Sequence, residues 1–289
     1  QLDPTWAIGV SVAYVMVVHG ASGVANDLAK MSSKSAVKLL APSKDGGLFR
    51  WVALLTGSKN AVKGLGFLLG AALLATLGFV WAVLAMAAIL AIILIAVLIA
   101  MPPGLPKGRK GAKFSEVFSK SSNVNWLSAA RVFLFGARDV WFVVGIHIYF
   151  YALLSDGTVS GNRTAFFMIG TFMAVWVILY GFVQAMAPNI QRASSRSEGE
   201  LVNAAMGWAW ALAAIPAALT VATLTFDGSQ NWLTITLVAV LLIFGAVFAI
   251  NSALHSYLIL AFSKGERGTM DGGFYYMANA GGRLLGTVL

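Results

Sequence analysis

The sequence predicts an all-α protein, a polytopic bundle of transmembrane helices, and three observations support this prediction. Of the 289 residues, 59 % are hydrophobic and only 11 % are charged, whereas about a quarter of a soluble domain is charged. Apolar segments recur along the whole chain, and several are as long as the roughly 20 residues that a bilayer-spanning helix needs. Lys and Arg collect in alternate loops between them. These observations together indicate a membrane protein.

Eight segments are long and apolar enough to be spans, and helices are expected because backbone groups inside a bilayer must bond to one another. In chain order, they cover 6–27, 50–76, 80–101, 127–154, 164–187, 204–226, 232–262 and 270–289. The boundary between the second and third is the hardest to place because 64–106 holds no charge, and we predict a turn near Gly78 and Phe79. The chain begins at Gln1 rather than Met and ends inside an apolar segment, so we expect an internal piece of a longer protein.

The distribution of basic residues predicts which loops face the cytoplasm. The loops 28–50, 102–126, 188–203 and 263–269 contain 14 Lys and Arg residues, whereas the opposite loops contain only Arg163. Positive charge favours the cytoplasmic side of an inner membrane. The first group of loops is therefore predicted to be cytoplasmic, and the first span to run from outside to inside.

The loop 102–126 is predicted to link two helical bundles. Its Pro, Gly and basic residues oppose a continuous helix and favour water. On this basis 1–101 forms the remainder of an N-terminal bundle with three spans. Residues 127–289 form a C-terminal bundle with five spans, the last incomplete.

Five basic residues fall inside the predicted spans, and they are the candidate ligands of an anionic substrate: Lys59, Lys63, Arg131, Arg138 and Arg283. A charge in the middle of a membrane costs roughly 2.5–3.5 kcal/mol on insertion scales, so each such residue suggests a function. Lys59 and Lys63 are four positions apart, and Arg131 and Arg138 are seven apart, so each pair shares one helix face. Arg provides a planar fork for oxyanions, and Lys a mobile point charge. Arg138 and Lys59 are the first choices because they remain deep for any reasonable span boundary.

Structural roles remain open for each of these cations. Lys59 can extend to the interface if its span begins later, and Arg131 lies close enough to Trp126 to be interfacial. Arg138 can pair with Asp139, and Arg283 can serve in packing.

Proton coupling has three candidates, Asp139, His147 and His19, which lie inside the predicted spans. Histidine titrates near neutral pH and can relay protons, although each histidine can equally be a hydrogen-bonded interior residue. Two pairs of glycines four positions apart, Gly66 with Gly70 and Gly282 with Gly286, predict close helix packing.

Lys30, Lys34 and Lys38 follow the first span at helical spacing. This spacing favours an interfacial helix facing anionic lipid over a binding site.

Enzymatic chemistry is not expected from the motifs. The sequence has no His-Glu-x-x-His, no P-loop and no Gly-x-Ser-x-Gly, and it has no cysteine for a disulfide or a thiolate metal site. We therefore expect no cofactor and no metal. The net charge of +9 is concentrated in loops on one side of the predicted membrane, so it indicates topology rather than nucleic-acid binding.

Four segments resemble one transporter family. They are Gly-Val-Ala-Asn-Asp-Leu-Ala-Lys-Met-Ser-Ser-Lys-Ser-Ala-Val-Lys at 23–38, Leu-Thr-Gly-Ser-Lys-Asn-Ala-Val-Lys-Gly at 55–64, the stretch 131–151, and Gly-Phe-Tyr-Tyr-Met-Ala-Asn-Ala-Gly-Gly-Arg at 273–283. These segments are similar to those of the ArsJ-type organoarsenical efflux permeases of the major facilitator superfamily. The loop 188–197 departs from the loop signature of that superfamily and adds no support.

The resemblance implies twelve helices in two bundles around a midplane site, with the present spans corresponding to the fourth to the eleventh. It also implies export of 1-arseno-3-phosphoglycerate. A partner glyceraldehyde-3-phosphate dehydrogenase makes this ester when arsenate replaces phosphate, so the pair would confer arsenate resistance. A multiply anionic cargo suits several Lys and Arg residues.

Three other functions remain open at this point. The chain could be a permease for an ordinary sugar phosphate or another organic anion. It could also be a membrane-embedded enzyme acting on anionic lipid, or a non-transporting sensor with an appended soluble domain. The preferred interpretation is a secondary transporter that works by alternating access, with proton antiport as the proposed coupling.

Overall fold

The computed structural model describes residues 8–40, 47–100, 119–226, 228–263 and 268–288, and within these ranges the chain is helical with no strand. The helices are α1 (Ile8–Leu40), α2 (Gly47–Leu77), α3 (Phe79–Ala100), α4 (Ser122–Asp139), α5 (Ile146–Leu154), α6 (Val159–Ile190), α7 (Glu198–Thr225), α8 (Gln230–Phe262) and α9 (Gly268–Val288). A π-helical segment, Val140–Gly145, joins α4 to α5 without a break. The predicted all-α class is confirmed.

Seven helical stretches in the described residues are long and apolar enough to cross a membrane. They are α1, α2, α3, α6, α7, α8 and the continuous run from α4 through α5. α9 is not among them, since it carries polar side chains such as Asp271, Asn279 and Arg283 along its length. A membrane-embedded protein is thus supported, while the count of eight spans and the superfamily architecture stay predictions.

The turn predicted near Gly78 and Phe79 is confirmed. α2 ends at Leu77, α3 begins at Phe79, and Gly78 between them has a φ of 76°. This left-handed conformation suits glycine because it has no Cβ to clash with the backbone. A single glycine can therefore reverse the chain inside an uncharged stretch.

The structure differs from the prediction in two of the predicted basic loops, 28–50 and 102–126. α1 continues to Leu40, so the part 28–40 of the predicted loop 28–50 is helical. The side chains of Lys30, Lys34 and Lys38 lie outside the described part. Most of the predicted linker 102–126 is also outside it, and α4 begins within that linker at Ser122. The division into two bundles stays a prediction.

Two helix pairs approach closely at glycines. A Cβ added at Gly57 of α2 would lie 2.5 Å from the carbonyl oxygen of Gly181 in α6. Gly282 and Gly286 of α9 lie against the backbone of α4, which confirms close packing there. The same prediction is wrong for Gly66 and Gly70, whose added Cβ atoms would meet no described atom within 4 Å. Sequence spacing cannot tell which glycine face meets a neighbouring helix.

α8 is the central helix of the described part. It packs against α2, α4, α6, α7 and α9, and nearly all of its residues from Phe244 to Leu260 are buried. Trp176 of α6 donates a 2.8 Å hydrogen bond from Nε1 to the carbonyl oxygen of Leu241. In contrast, α1 and α3 present exposed apolar side chains along most of their length, as helices that face lipid would.

The π-helical segment begins directly after Arg138 and Asp139. Such segments carry one extra residue per turn and often occur at functional sites. The ring of Trp141 packs over Gly145, where an added Cβ would lie 3.2 Å from the ring.

Candidate functional site

Asp139, at the end of α4, is held by two arginines. Its Oδ1 accepts a 2.6 Å hydrogen bond from Arg138 Nε, and its Oδ2 accepts a 2.8 Å hydrogen bond from Arg283 Nε. A second nitrogen of Arg138 also forms an ion pair with Oδ1. The carboxylate is fully buried, whereas the Arg283 side chain is 43 % exposed. One buried acid therefore joins α4 to α9.

Lys63 of α2 completes this group. Its Nζ lies 4.4 Å from the ring centroid of Phe142 and 5.5 Å from that of Phe67. The charges of Arg138, Arg283 and Asp139 all act on it. We call Lys63, Arg138, Arg283 and Asp139 the cation cluster. It holds three basic groups and one carboxylate, so the carboxylate cannot balance its positive charge.

Aromatic rings form the walls around Arg138. Its guanidinium carbon lies 4.5 Å from the ring centroid of Phe135, 5.2 Å from that of Phe142 and 5.4 Å from that of Phe248. Ring faces stabilise a cation through their quadrupole, by about 0.5–2 kcal/mol. These contacts hold the guanidinium in place without neutralising it.

Arg131 lies one layer away and is linked to the cluster through Phe135, whose ring centroid is 3.9 Å from its guanidinium carbon. Arg131 donates 3.2 Å hydrogen bonds to Asn279 Oδ1 in α9 and to Ser252 Oγ in α8. Neither partner is charged. A buried guanidinium with neutral partners keeps its full positive charge and so attracts anions.

A chain of amides extends this layer to α2. Gln184 of α6 donates a 3.4 Å hydrogen bond to Ser252 Oγ. Asn60 of α2 in turn donates to Gln184 Oε1 at 2.5 Å. Asn60 lies directly after Lys59 and three positions before Lys63. Its bond to Gln184 therefore helps to fix the rotation of α2 about its own axis, and with it the directions of the two lysines.

The structure brings the predicted cations together to different degrees. Lys63, Arg138 and Arg283 meet around Asp139, and Arg131 adjoins them through Phe135. Lys59 is exposed on α2 and acts on Lys63 electrostatically. Arg138 and Arg131 are buried, at 8 % and 4 % exposure. Lys63 is exposed and Arg283 half-exposed, so these two are the accessible members, although the sequence favoured Arg138 and Lys59.

The three proton-coupling candidates are not gathered at one point. Asp139 lies inside the cation cluster, between Arg138 and Arg283. His147 is exposed on α5, and the groups acting on it are backbone groups of the preceding turn. The side chain of His19 lies outside the described residues.

Sequence reasoning missed the polar residues of α8 and their partners. His255, Asn251, Ser252 and Ser256 are at most 5 % exposed inside an otherwise apolar helix. His255 lies close enough to Arg131 for the two to interact electrostatically. The run Asn-Ser-Ala-Leu-His-Ser at 251–256 was a readable signal, because polar groups are rare and expensive in a span.

A groove of about 710 Å³ between α4, α7 and α8 reaches His255. Trp126 and Met206 contribute apolar walls, while Glu198 and Asn203 contribute polar groups. The groove contacts the first turns of α4 and α7, at the end of the bundle that the charge pattern places in the cytoplasm.

No cluster of three or more His, Asp or Glu side chains able to hold a metal ion occurs in the part of the chain that the structure describes.

Comparison of the chain with models of known protein families, with curated protein sequences and with solved structures finds no match. The case for an anion-binding site therefore depends on the residues of the site themselves.

Proposed function

We propose that the protein is a secondary transporter that moves a small organic anion across the membrane by alternating access. The observation that carries the proposal is the cation cluster, in which Arg138 and Arg283 bind the carboxylate of Asp139 and Lys63 interacts electrostatically with all three. Uncompensated positive charge among apolar helices is unfavourable. An anion that arrives and leaves would relieve it.

The members of the cluster would have different roles. Lys63 and Arg283 are accessible, so they would contact the anion first. Arg138 is held between Asp139 and three aromatic rings, so it would supply a fixed positive field. Lys59, one turn from Lys63, would attract the anion from a greater distance. Arg131 would act from the neighbouring layer.

The π-helical segment supports a moving site. It adjoins Asp139 and carries Phe142, whose ring contacts both Lys63 and Arg138. π-Helical turns are less regular than α-helical ones and concentrate at functional positions. A change of α5 relative to α4 at this segment would move Phe142 and alter access to the cluster. Midplane sites with local helix irregularity are typical of secondary transporters.

The proposed cargo follows from the resemblance described above. Within the major facilitator superfamily, the resemblance to ArsJ-type permeases favours 1-arseno-3-phosphoglycerate, exported through the inner membrane after synthesis by a glyceraldehyde-3-phosphate dehydrogenase. This cargo carries more than one anionic group, which suits several cations in two layers. Proton antiport involving Asp139 or His147 is the proposed coupling. A permease for an ordinary sugar phosphate would use the same cluster.

Arsenate tolerance in a sensitive bacterial strain tests the proposal. The gene is expressed with and without the dehydrogenase, beside Lys63→Gln, Arg138→Ala and Lys59→Ala, with Arg163→Gln as the control in a predicted outer loop. We expect tolerance that requires both genes, survives Arg163→Gln and is lost in Lys63→Gln.

The outcomes separate the cargo from the transport mechanism. If well-expressed protein confers no tolerance but vesicles take up a labelled sugar phosphate, the arsenic assignment is wrong and organic-anion transport stands. If Lys63→Gln and Arg138→Ala both leave every anion flux unchanged, the cation cluster is not the transport site.

A further inference from the structure

The buried polar face of α8 is a second feature of the site. Asn251, Ser252, His255 and Ser256 stand at positions i, i+1, i+4 and i+5, so they lie on one side of the helix. Leu254, Leu258 and Ile259 around them are apolar and at most 1 % exposed. We call these four polar residues the α8 polar face.

Several polar atoms on this face have no hydrogen-bond partner within the described residues. They include both the nitrogen and the oxygen of the Asn251 side chain, Nδ1 of His255 and Oγ of Ser256. The facing helices contribute two more, Oγ of Ser128 and the hydroxyl of Tyr275. Proteins rarely bury polar atoms unpaired, and such atoms need an explanation at each place where they occur. Unpaired polar atoms on one face of α8, with others on the two helices that pack against it, indicate a place that binds a polar ligand.

Arg131 is the charged group next to this face. It donates to Ser252, its guanidinium carbon lies 4.9 Å from the ring centroid of Tyr275, and its charge acts on His255. A guanidinium recognises an oxyanion, whereas amides, hydroxyls and imidazole recognise hydroxyl groups. Their combination fits a ligand that carries both kinds of group.

The groove between α4, α7 and α8 provides a route toward this face. His255 is its only polar contact on α8 among the residues that line it, and Ala130, beside Arg131, lines it as well. Asn251 and Ser252 lie one turn of α8 beyond His255. A small separation of α4 from α8 would connect the groove with Arg131.

We propose that the α8 polar face, with Arg131, binds the hydroxyl-bearing part of a hydroxylated organic anion such as a polyol phosphate. The inference rests on the proposed anion transport and deepens it, because it states why an organic phosphate would be preferred over inorganic phosphate. A hydroxyl of the ligand would pair with the amide of Asn251, whose two polar atoms otherwise stay unpaired.

Isothermal titration of the full chain in lipid nanodiscs tests this, with inorganic phosphate and glycerol 3-phosphate as probes. We expect the wild-type protein to bind glycerol 3-phosphate at least tenfold more tightly than phosphate. Asn251→Leu keeps the branching and the number of heavy atoms but removes the amide. It should weaken the binding of glycerol 3-phosphate about tenfold, while the affinity for phosphate changes less than about twofold. One lost hydrogen bond of about 1.4 kcal/mol gives this factor. Asn231→Leu, an exposed position on the same helix, is the matched control.

The thermal midpoint of each variant separates binding from folding. Because the Asn251 amide is unpaired, Asn251→Leu should keep or raise the thermal midpoint while it lowers the affinity for glycerol 3-phosphate. The inference would be overturned if Asn251→Leu left the affinity for glycerol 3-phosphate unchanged. It would also be overturned if the variant lowered the affinities for both probes equally together with the thermal midpoint. If both probes bind equally and Lys63→Gln abolishes binding, this inference fails and the anion transport proposal stands. If neither probe binds the wild-type protein, both fail.

Discussion

Arg283 Nε lies 2.8 Å from Asp139 Oδ2, although the two residues are 144 positions apart in the chain. The contact joins the last described helix to the end of α4, at the start of the π-helical segment. It also leaves the accessible side of Arg283 free to face a ligand. One ion pair thus has both a structural and a functional consequence, which can be measured separately.

The first prediction concerns the loss of Asp139. Asp139→Asn leaves Arg138 and Arg283 without their carboxylate, and breaking a buried pair by removing one partner costs about 3–5 kcal/mol. We expect the free energy of unfolding in detergent to fall by about 3 kcal/mol, since Arg283 is partly solvated. Tryptophan fluorescence during denaturant titration measures this.

A double variant provides the control for that result. Asp139→Asn with Arg283→Gln removes a positive charge together with the negative one. It should recover at least about 1 kcal/mol relative to Asp139→Asn alone, since contacting residues couple by about 0.5–3 kcal/mol. Additive losses would mean that the two side chains do not depend on each other.

The second prediction distinguishes Lys63 from Arg138. Lys63→Gln removes an ammonium that lies over the rings of Phe142 and Phe67 on a residue that is exposed overall, so stability should fall by no more than about 1 kcal/mol. The KM for the transported anion should rise about tenfold, because one charge-assisted contact contributes about 1.5–3 kcal/mol. Arg138→Gln should lower both stability and transport, because its guanidinium is buried against Asp139 and three rings. Uptake into proteoliposomes beside thermal unfolding gives both quantities. Equal effects of the two variants would contradict the division of roles.

The third prediction uses the glycines of α9. Gly286→Ala places a methyl group against the backbone of Gly136 in α4. Overpacking of this kind costs about 1–3 kcal/mol, and it should also weaken transport because Arg283 lies on the displaced helix. Thermal unfolding and anion uptake are measured together.

Gly66→Ala is the matched control on α2, where the added methyl meets no described atom within 4 Å. It should leave stability unchanged or raise it by up to about 1 kcal/mol, since alanine favours helix over glycine. If Gly66→Ala and Gly286→Ala change stability by the same amount, Gly286 is not needed for the close approach of α4 and α9.

The fourth prediction tests packing one ring removed from the cations, since Trp176 contacts the ring of Phe142, which in turn contacts Lys63 and Arg138. Trp176→Phe removes the hydrogen bond to the Leu241 carbonyl oxygen and part of a buried ring system. We expect a loss of about 1–3 kcal/mol in the free energy of unfolding, with the KM for the anion within about twofold of wild type. A large rise in KM at unchanged stability would place Trp176 in the transport site instead.

Much of the helical layout could be predicted from the sequence. Length and hydropathy predicted where the long helices lie, and α2, α3, α6 and α8 begin and end within a few residues of their predicted limits. The turn at Gly78 was predictable because glycine is the residue that tolerates its φ. The spacing of Lys30, Lys34 and Lys38 predicted a helix, but it was not predicted that this helix continues the first span without a break as far as Leu40.

The candidate site was predicted only in part. The five cations were visible because charge inside an apolar span stands out against its neighbours. The pairing of Asp139 with Arg283, the π-helical segment and the α8 polar face were not predicted. His255 was not considered, although it lies in the same run as Asn251 and Ser252.

By itself, the sequence determined the all-α class, the positions of most of the long apolar helices and the presence of cations within them. These follow from local properties: hydropathy, charge and the backbone freedom of glycine. The tertiary structure alone decided that Lys63 and Arg283 are accessible while Arg138 and Arg131 are buried. The physical reason is that hydropathy alone does not show which face of a helix meets its neighbours, so cations on different faces look alike in the sequence. Which face of each helix points inward is decided only by its contacts with helices that are distant in the chain.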